Sequence, residues 1–377
     1  MTEQHPISTK PSQTPAKGLD KYFHAAVTNR ASDLHLKVGQ PPKLRIKDQL
    51  RDTSGEIMTK EHIEQLVFEI LSDPQKEFFT KNGTLDFAYE LDDETRFRIN
   101  IFRQRGATSL AARRVESVVP RFEQLHLPAA LEKIADRAQG LVLVVGPTGC
   151  GKTTTIVSMI DFINRTRSCH IISIEDPIEY VFKDKKAIIS QREIGIDVRD
   201  FDQALAYFMR QDPDVVFIGE MRDSSTIAAG IRAAETGHLV FGTLHSANAA
   251  QAVGRVLDMF PQNERDQVRK VLSLSLKAII SQLLLPSIKE GIDRIPALEI
   301  MLASPEVRKL IAEGRENELP EVIKACREEG MLDITDNLCQ LVMDGSVDAK
   351  VAYRYAPNAE ELKMALKGIR HTAGGII

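Results

Sequence analysis

The stretch that decides the fold runs Leu141-Val142-Leu143-Val144-Val145-Gly146-Pro147-Thr148-Gly149-Cys150-Gly151-Lys152-Thr153. Its five consecutive apolar residues indicate a strand that is buried on both faces, as in a parallel sheet. Glycines then form a turn, and a helix-like stretch follows at residues 154–164. A strand, a glycine-rich loop and a helix in this order are the context in which a Walker A sequence binds phosphate.

Each part of this loop suits a phosphate group. The glycines allow backbone N–H groups to approach phosphate oxygens, and the helix N-terminus adds partial positive charge. Lys152 is predicted to reach the β- and γ-phosphates, and the Thr153 hydroxyl to hold Mg²⁺. The predicted nucleotide-binding residues are Gly146, Pro147, Thr148, Gly149, Cys150, Gly151, Lys152, Thr153 and Thr154. ATP or GTP is the expected ligand; a chance strand–turn–helix is the alternative.

The bulk properties restrict the class of protein. A chain of 377 residues has room for two or three domains. Its 43% hydrophobic and 27% charged content is typical of a globular protein, and a net charge of −4 gives no reason to expect a nucleic-acid partner. Apolar stretches stay well below the ~18 residues of a spanning helix, and the N-terminus lacks the apolar core of a signal peptide. We therefore expect a cytoplasmic protein with at most a peripheral membrane role.

The first third of the chain predicts a tail and a small mixed domain. Residues 1–18 combine three prolines with polar residues, which indicates a disordered tail. Residues 19–118 predict an α+β domain with helices at 20–29 and 59–71. Strands are expected at 34–38, 44–46, 85–91, 96–103 and 107–115. Pro120 and Pro128 bracket a predicted linker at 119–130.

The rest of the chain alternates strands with helices. Strands are predicted at 141–145, 171–174, 215–218 and 239–242, which indicates a parallel sheet and an ATPase domain over 131–303. Residues 304–377 are expected to be helical. Ser304-Pro305 is a predicted helix start, and Gly314, Gly330, Gly345 and Gly368 are predicted to separate successive short helices.

Carboxylates follow two of the predicted strands. Glu175 and Asp176 come directly after one strand, and Glu220 follows another. Ligands of an open α/β sheet bind beyond the carboxyl ends of its strands. Gly219 occupies the position at which a Walker B strand usually carries its Mg²⁺-binding Asp, so Glu175 or Asp176 is predicted to take over that role. Glu220 is the predicted base that polarises the attacking water. Alternatively, Glu220 caps the next helix and Glu175 is a solvated turn residue.

Two histidines flank the next predicted strand. Seven residues of extended chain would separate His238 from His245 by roughly 20 Å and point them to opposite faces, so one metal ion cannot easily bind both. His245, beyond the end of the strand, is predicted to sense the γ-phosphate. His238 is predicted to order the start of the strand and is also counted among the nucleotide-binding residues. Ordinary core or surface histidines are the alternative.

Arginines could complete the site, because an arginine on the developing charge accelerates phosphoryl transfer strongly and often comes from a neighbouring subunit. Arg222 lies two residues after Glu220. The other candidates are Arg255, Arg96, Arg98, Arg103, Arg105 and Arg113. Any one of them is equally well read as a solvated surface charge.

From residue 19 to residue 366 the chain resembles the hexameric secretion ATPases, and within them the type IV pilus retraction ATPases. The resemblance is carried by the phosphate loop and by segments 31–36, 96–100, 174–180, 191–193, 219–223 and 237–245. Segment 174–180 resembles the family's acidic "Asp box", segment 219–223 its atypical Walker B and segment 237–245 its "His box".

This resemblance implies a PAS-like N-terminal domain joined to a RecA-like ATPase domain with a helical C-terminal extension. It also implies a homohexamer that binds ATP and Mg²⁺ at subunit interfaces and acts on a pilus platform protein of the inner membrane. Glu220 would be the catalytic base and Glu175 a Mg²⁺ or water partner, while His245 would lie near the γ-phosphate. The resemblance further implies that Arg98, Arg105 and Arg113 approach nucleotide from the small domain.

Two features favour the retraction branch of this family. Extension and type II secretion motors typically carry a four-cysteine zinc element after the His box, whereas residues 245–285 contain no cysteine. Residues 306–313 resemble the retraction-type run Ala-Ile-Arg-Asn-Leu-Ile-Arg-Glu, with matches at Arg308, Leu310, Ile311 and Glu313. Departures at Lys309 and Ala312 leave open an accessory retraction paralogue, which would have a paralogous pilus ATPase as a partner.

Three alternatives stay open at this point. An assembly or secretion motor is disfavoured by the missing cysteines. A RecA-like nucleic-acid translocase is disfavoured because the chain has no Trp, 6 Tyr and a mildly acidic balance. A nucleotide-binding regulator without turnover is disfavoured by the intact Lys152, Thr153 and Glu220.

Overall fold

The structure, a computed structural model, describes residues 18–47, 49–92 and 95–369. Two compact units make up the chain, one ending at Ser117 and the other beginning at Val118. The predicted tail, apart from Gly18, lies outside the described residues.

The first unit is an antiparallel sheet with three helices, in the strand order β3-β2-β1-β6-β5-β4. Its strands are β1 (Asp33–Leu36), β2 (Lys43–Ile46), β3 (Gln49–Asp52), β4 (Thr84–Asp92), β5 (Thr95–Gln104) and β6 (Ala107–Val115). Its helices are α1 (Asp20–Thr28), α2 (Lys60–Ile70) and α3 (Asp73–Asn82). The core contains the fully buried rings of Phe23, Phe79 and Phe97.

Local chemistry accounts for these elements. Thr59 begins α2 by accepting a hydrogen bond from the His62 N–H, at 3.1 Å. Arg105 and Gly106 join β5 to β6 with positive φ at both residues, as a two-residue hairpin turn requires. The predicted elements of this unit are confirmed, whereas β3 and α3 were not predicted.

The second unit is built on a seven-stranded sheet in the order β13-β12-β7-β11-β10-β8-β9. Its strands are β7 (Gly140–Val145), β8 (His170–Glu175), β9 (Ile188–Glu193), β10 (Val215–Ile218), β11 (Leu239–Leu244), β12 (Leu276–Pro286) and β13 (Arg294–Leu302). Neighbouring strands are parallel except for β13, which runs antiparallel to β12. The four predicted strands are confirmed; β9, β12 and β13 were not predicted.

Helices cover both faces of this sheet. They are α4 (Ala130–Ala135), α5 (Lys152–Thr166), α6 (Phe201–Tyr207), α7 (Ser224–Glu235), α8 (Ala249–Asp258), α9 (Arg265–Ser275), α10 (Pro305–Glu313), α11 (Leu319–Ala325), α12 (Ile334–Met343), α13 (Ala349–Tyr355) and α14 (Ala359–Leu366). Successive residues of β7 alternate between two apolar clusters, so that Leu143 packs with α7 and α8 and Val144 packs with α5. Burial on both faces explains the unbroken apolar run of this strand.

The helix start predicted at Ser304-Pro305 is present in the structure. Ser304 accepts a hydrogen bond from the Val307 N–H at the start of α10, and Gly314 ends that helix in the left-handed conformation. Gly330, Gly345 and Gly368 also have positive φ. These predicted boundaries are confirmed. Within the described ranges, none of the helices is both long and apolar enough to cross a membrane.

Candidate active site

The phosphate loop joins β7 to α5, and its glycines are required by its path. Gly146, Gly149 and Gly151 all have φ between 78° and 151°. A Cβ atom at Gly146 would lie 2.3 Å from the Gln282 carbonyl oxygen and 2.6 Å from Cys150 Sγ. Only glycine combines such backbone angles with such close neighbours. The loop therefore turns tightly between β7 and the N-terminus of α5, the form in which its backbone N–H groups can surround a phosphate.

Lys152 is the first residue of α5 and points back along the loop. Its Nζ donates hydrogen bonds to the carbonyl oxygens of Gly146, at 2.9 Å, and Pro147, at 3.0 Å. The side chain faces a cavity of about 200 Å³. Lining residues of this cavity are Thr148, Gly149, Lys152, Thr153, Glu175, Asp176, Pro177, Glu179, Phe217, Gly219, Glu220, Thr243 and His245. The structure thus brings together eight of the predicted site residues, from four separate segments.

Glu175 ends β8 as a buried carboxyl group, with 2% of its surface exposed. Its Oε1 accepts hydrogen bonds from Ser173 Oγ, at 2.6 Å, and Gln191 Nε2, at 3.1 Å. Burial raises its pKa to about 7; the two hydrogen bonds act in the opposite direction, and the charge of Glu179 adds to the rise. Glu175 is therefore a buried group in the cavity and not a solvated turn residue.

Gly219, at which the sequence departs from the usual Walker B pattern, lies close to the end of β8. A Cβ atom at Gly219 would lie 3.2 Å from the Ile174 carbonyl oxygen and 3.3 Å from Glu175 Cα. The Gly219 carbonyl oxygen in turn accepts a hydrogen bond from Thr243 Oγ1, at 2.6 Å. Because the ends of β8, β10 and β11 pack so closely here, a Cβ atom at position 219 would require the neighbouring backbone to move by a few tenths of an ångström.

Glu220 is held between two basic side chains. Its Oε2 lies 2.6 Å from Arg222 Nη2, and its Oε1 lies 3.2 Å from His245 Nε2. Partial burial by itself raises the pKa of Glu220. The hydrogen bond and charge of Arg222, with smaller contributions from His245 and Lys152, bring it below its ordinary value. Glu220 is therefore ionised at neutral pH and faces the cavity. Asp223, not Glu220, caps α7.

His238 does not line the cavity around Lys152, unlike the other predicted histidine, His245. It precedes β11, whereas His245 follows it, so the two lie at opposite ends of a six-residue strand. Its Nδ1 lies 2.9 Å from the Ala233 carbonyl oxygen at the end of α7, and its own carbonyl accepts from the Gly140 N–H. These contacts agree with the predicted role of His238 in ordering the start of the strand.

Other predicted residues lie elsewhere. Cys150 is buried beneath the loop, and Thr154 faces a second cavity with Gly151. Arg98, Arg105 and Arg113 belong to the first unit, where all three are exposed. Arg113 Nε lies 2.8 Å from Asp33 Oδ1.

Sequence reasoning assigned no role in the site to two polar residues, Gln191 and Gln282. Gln191 also bonds the Tyr180 carbonyl, at 2.8 Å, and thereby ties the segment after Glu175 to β9. Gln282 contacts the phosphate loop from β12. Gln191 lies in a segment that carries the family resemblance, so a signal was present; Gln282 lies in an apolar strand that offered none.

Comparisons with known proteins agree with this geometry. Residues 10–306 match the family described as "Type II/IV secretion system protein". A twitching motility protein of Neisseria gonorrhoeae is 40% identical over 85% of this chain and 86% of its own. The type IV pilus retraction ATPase PilT of Pseudomonas aeruginosa is 40% identical over 85% of this chain and 93% of its own. A crystal structure of the retraction motor PilT with bound ADP superposes with a TM-score of 0.83 and 42% identity, covering 92% of this chain and 99% of that one.

The chain belongs to the type II/IV secretion system protein family. It is a P-loop ATPase of the pilus retraction type, with the two-domain α/β architecture and RecA-like core of that group.

Proposed function

We propose that this protein is a homohexameric motor that hydrolyses ATP with Mg²⁺ to retract a type IV pilus, acting on a platform protein of the inner membrane. The observation that carries the proposal is the group around Glu220. An ionised carboxylate, held by Arg222 and His245, shares one cavity with Lys152 of the phosphate loop. The similarity to retraction ATPases over most of their length supports pilus retraction, as opposed to extension, as the work that is done.

The donor set of the cavity suits Mg²⁺. The Thr153 hydroxyl and the carboxylates of Glu175 and Asp176 are oxygen ligands, which this hard cation prefers, and it usually keeps several waters beside nucleotide phosphates. We infer that Thr153 binds the ion and that Glu175 and Asp176 act partly through water. Bound Mg²⁺ would neutralise charge that develops on the phosphates.

The roles of the side chains follow from their charges. The Lys152 ammonium neutralises the β- and γ-phosphates, and backbone N–H groups at the start of α5 bind phosphate oxygens. Glu220, ionised at neutral pH, accepts a proton from the attacking water. Arg222 keeps Glu220 in that ionised form, and His245, which contacts the same carboxylate, senses the γ-phosphate.

A second cavity, of about 240 Å³, adjoins the phosphate loop and offers space for the part of a nucleotide beyond its phosphates. Thr154 and Gly151 line its near side, and Leu125, Leu284 and Pro296 make other parts of its wall apolar. Such a pocket beside the N-terminus of α5 suits a ribose and base. We infer that the adenosine of ATP binds there.

We infer that Arg98, Arg105 and Arg113 reach the nucleotide of a neighbouring subunit in the hexamer. Arg98 and Arg113 are directly opposite each other on β5 and β6, and both are exposed. Arg113 is also paired with Asp33, and a nucleotide phosphate would be attracted to both exposed guanidinium groups. Measuring the mass in solution with nucleotide tests the assembly; a monomer with full activity at every concentration contradicts it.

Deleting the gene tests whether the motor retracts pili or extends them. Without a retraction motor, extended pili cannot shorten, so cells should carry more surface pili and lose surface motility. Fractionation should find the protein in the cytoplasm and peripherally at the inner membrane. Bald cells, or normal pili with failed protein export, would assign the chain to the extension or secretion branch instead.

An accessory retraction paralogue is the second candidate, favoured by Lys309 and Ala312 within an otherwise retraction-type segment. Such a protein would work with a paralogous pilus ATPase. Deletion cells with excess pili but intact motility under low load would identify it.

A further inference from the structure

Three adjacent polar side chains are buried in the β12–β13 pair. Ser281 and Gln282 are consecutive on β12, and Glu299 is the direct partner of Ser281 on β13. Their exposed fractions are 5%, 2% and 6%. A polar group buried in an apolar strand is costly unless it is hydrogen-bonded. The partners of these three groups are therefore informative.

Gln282 uses both ends of its amide at the phosphate loop. Its Nε2 donates to the Cys150 carbonyl oxygen, at 2.6 Å, and its Oε1 accepts from Thr155 Oγ1 on α5, at 2.7 Å. Its carbonyl oxygen is also the atom that excludes a side chain at Gly146. One residue of β12 thus contacts the start, the middle and the helical end of the loop.

Ser281 and Glu299 contact a different segment, the His245 loop (residues 245–249), which leads from β11 to α8. Ser281 Oγ donates to the Ala247 carbonyl oxygen, at 2.9 Å. Glu299 Oε1 accepts from the Ala249 N–H, at 2.8 Å. Burial raises the pKa of Glu299. Glutamine keeps an oxygen that can accept this hydrogen bond, so it is the conservative substitute.

We propose that these three are positioning residues with separate effects, in which Gln282 sets the phosphate loop for nucleotide affinity and the Ser281–Glu299 pair sets the His245 loop for turnover. The inference rests on the ATPase site proposed above. Losing one partner of a buried hydrogen bond leaves the other unsatisfied, so the loop that holds it shifts. The phosphate loop binds nucleotide, whereas the His245 loop places the imidazole beside Glu220. A shift of the first should therefore weaken binding, and a shift of the second should slow the reaction.

Two readouts on the full-length protein separate these effects: the Kd of Mg·ADP by calorimetry, and kcat by phosphate release. Gln282→Leu should raise the Kd of Mg·ADP about tenfold. Glu299→Ala should lower kcat about tenfold while the Kd stays within about twofold of wild type. Glu299→Gln, which can still accept from the Ala249 N–H, should restore kcat.

Thr155→Val offers a milder probe of the Gln282 contact, because it deletes one hydroxyl and keeps the shape of the side chain. It should raise the Kd about threefold, and its effect should not add to that of Gln282→Leu. If Gln282→Leu fails to fold, Thr155→Val decides that half of the proposal.

Parallel changes of Kd and kcat in all variants, an unchanged Kd in Gln282→Leu or Thr155→Val, or no recovery in Glu299→Gln would each overturn the inference. These failures differ from failure of the proposed function. If the proposed function is wrong, the wild-type protein itself would neither bind Mg·ADP nor hydrolyse ATP, or cells without it would retract their pili normally.

Discussion

Glu220 Oε1 lies 3.2 Å from His245 Nε2, although the two residues follow different strands. The contact exists because β10 and β11 are adjacent and parallel, with Ile218 paired to Gly242, so both chains leave the sheet at the same edge. The phosphate loop leaves β7 at that edge too, since β7 pairs with β11 on its other side. The register of three strands thus assembles the site.

Glu220→Gln should keep nucleotide binding and lose turnover. The amide has nearly the same size but cannot accept a proton, so we expect kcat to fall by roughly 10²-fold or more while the Kd of ATP changes little. Steady-state hydrolysis and equilibrium binding measure the two quantities. Glu235→Gln, at the exposed end of α7, is the matched control and should resemble wild type. Parallel loss of binding and rate would make Glu220 structural.

Arg222→Ala should move the acidic limb of the kcat–pH profile to higher pH. Arg222 lowers the pKa of Glu220 against the effect of burial, so its removal raises that pKa and leaves less ionised base at a given pH. Since Arg222 is largely exposed, solvent screens its charge and we expect the shift to be small. Arg232→Ala, an exposed arginine on α7, should leave the profile in place. An unmoved limb in Arg222→Ala would contradict the pairing.

Lys152→Ala should abolish hydrolysis and most nucleotide affinity. Without the ammonium group, no side chain at the start of α5 neutralises the β- and γ-phosphates, and turnover should fall below about a tenth of wild type. Lys133→Ala, an exposed lysine on α4, should remain active. Hydrolysis by Lys152→Ala above that level would refute the assigned role.

Glu175→Gln should stabilise the nucleotide-free protein at high pH while impairing Mg²⁺-dependent hydrolysis. Unfolded Glu175 ionises near pH 4.5, whereas the folded protein keeps its proton up to about pH 7. The folded state therefore loses stability as pH rises through that window, and a neutral amide avoids the loss. The variant should gain on the order of 2–3 kcal/mol in unfolding free energy at pH 8 and little at pH 4.5.

Denaturant unfolding at both pH values measures that gain. The glutamine oxygen can still accept from Ser173 and Gln191, so the contacts are preserved. Glu235→Gln again serves as the control. A gain of equal size at both pH values would show that ionisation of Glu175 is not its cause.

Much of the site could be predicted because its determinants are contiguous in the chain. The apolar run of β7, the glycines and Lys152 form one segment, and the backbone angles of the loop depend on the glycines within it. Carboxylates directly after strands, such as Glu175 and Glu220, are also predictable, because parallel strands deliver their carboxyl ends to one edge. Helix starts such as Ser304 depend on hydrogen bonds that span only three residues.

Tertiary structure alone decided what depends on pairing between distant segments. β12 and β13 are buried apolar strands without a helical or alternating pattern, so their sequence did not identify them as strands. The contact of Gln282 with Cys150 follows from the register of β12 beside β7. The polar edge strand β9 escaped prediction for lack of an apolar face, and with it the contact of Gln191 with Glu175. His238 and His245 flank one strand, yet His245 lines the cavity around Lys152 and His238 lies at the other end of that strand. An extended strand separates residues that are close in sequence, whereas sheet register joins residues that are far apart.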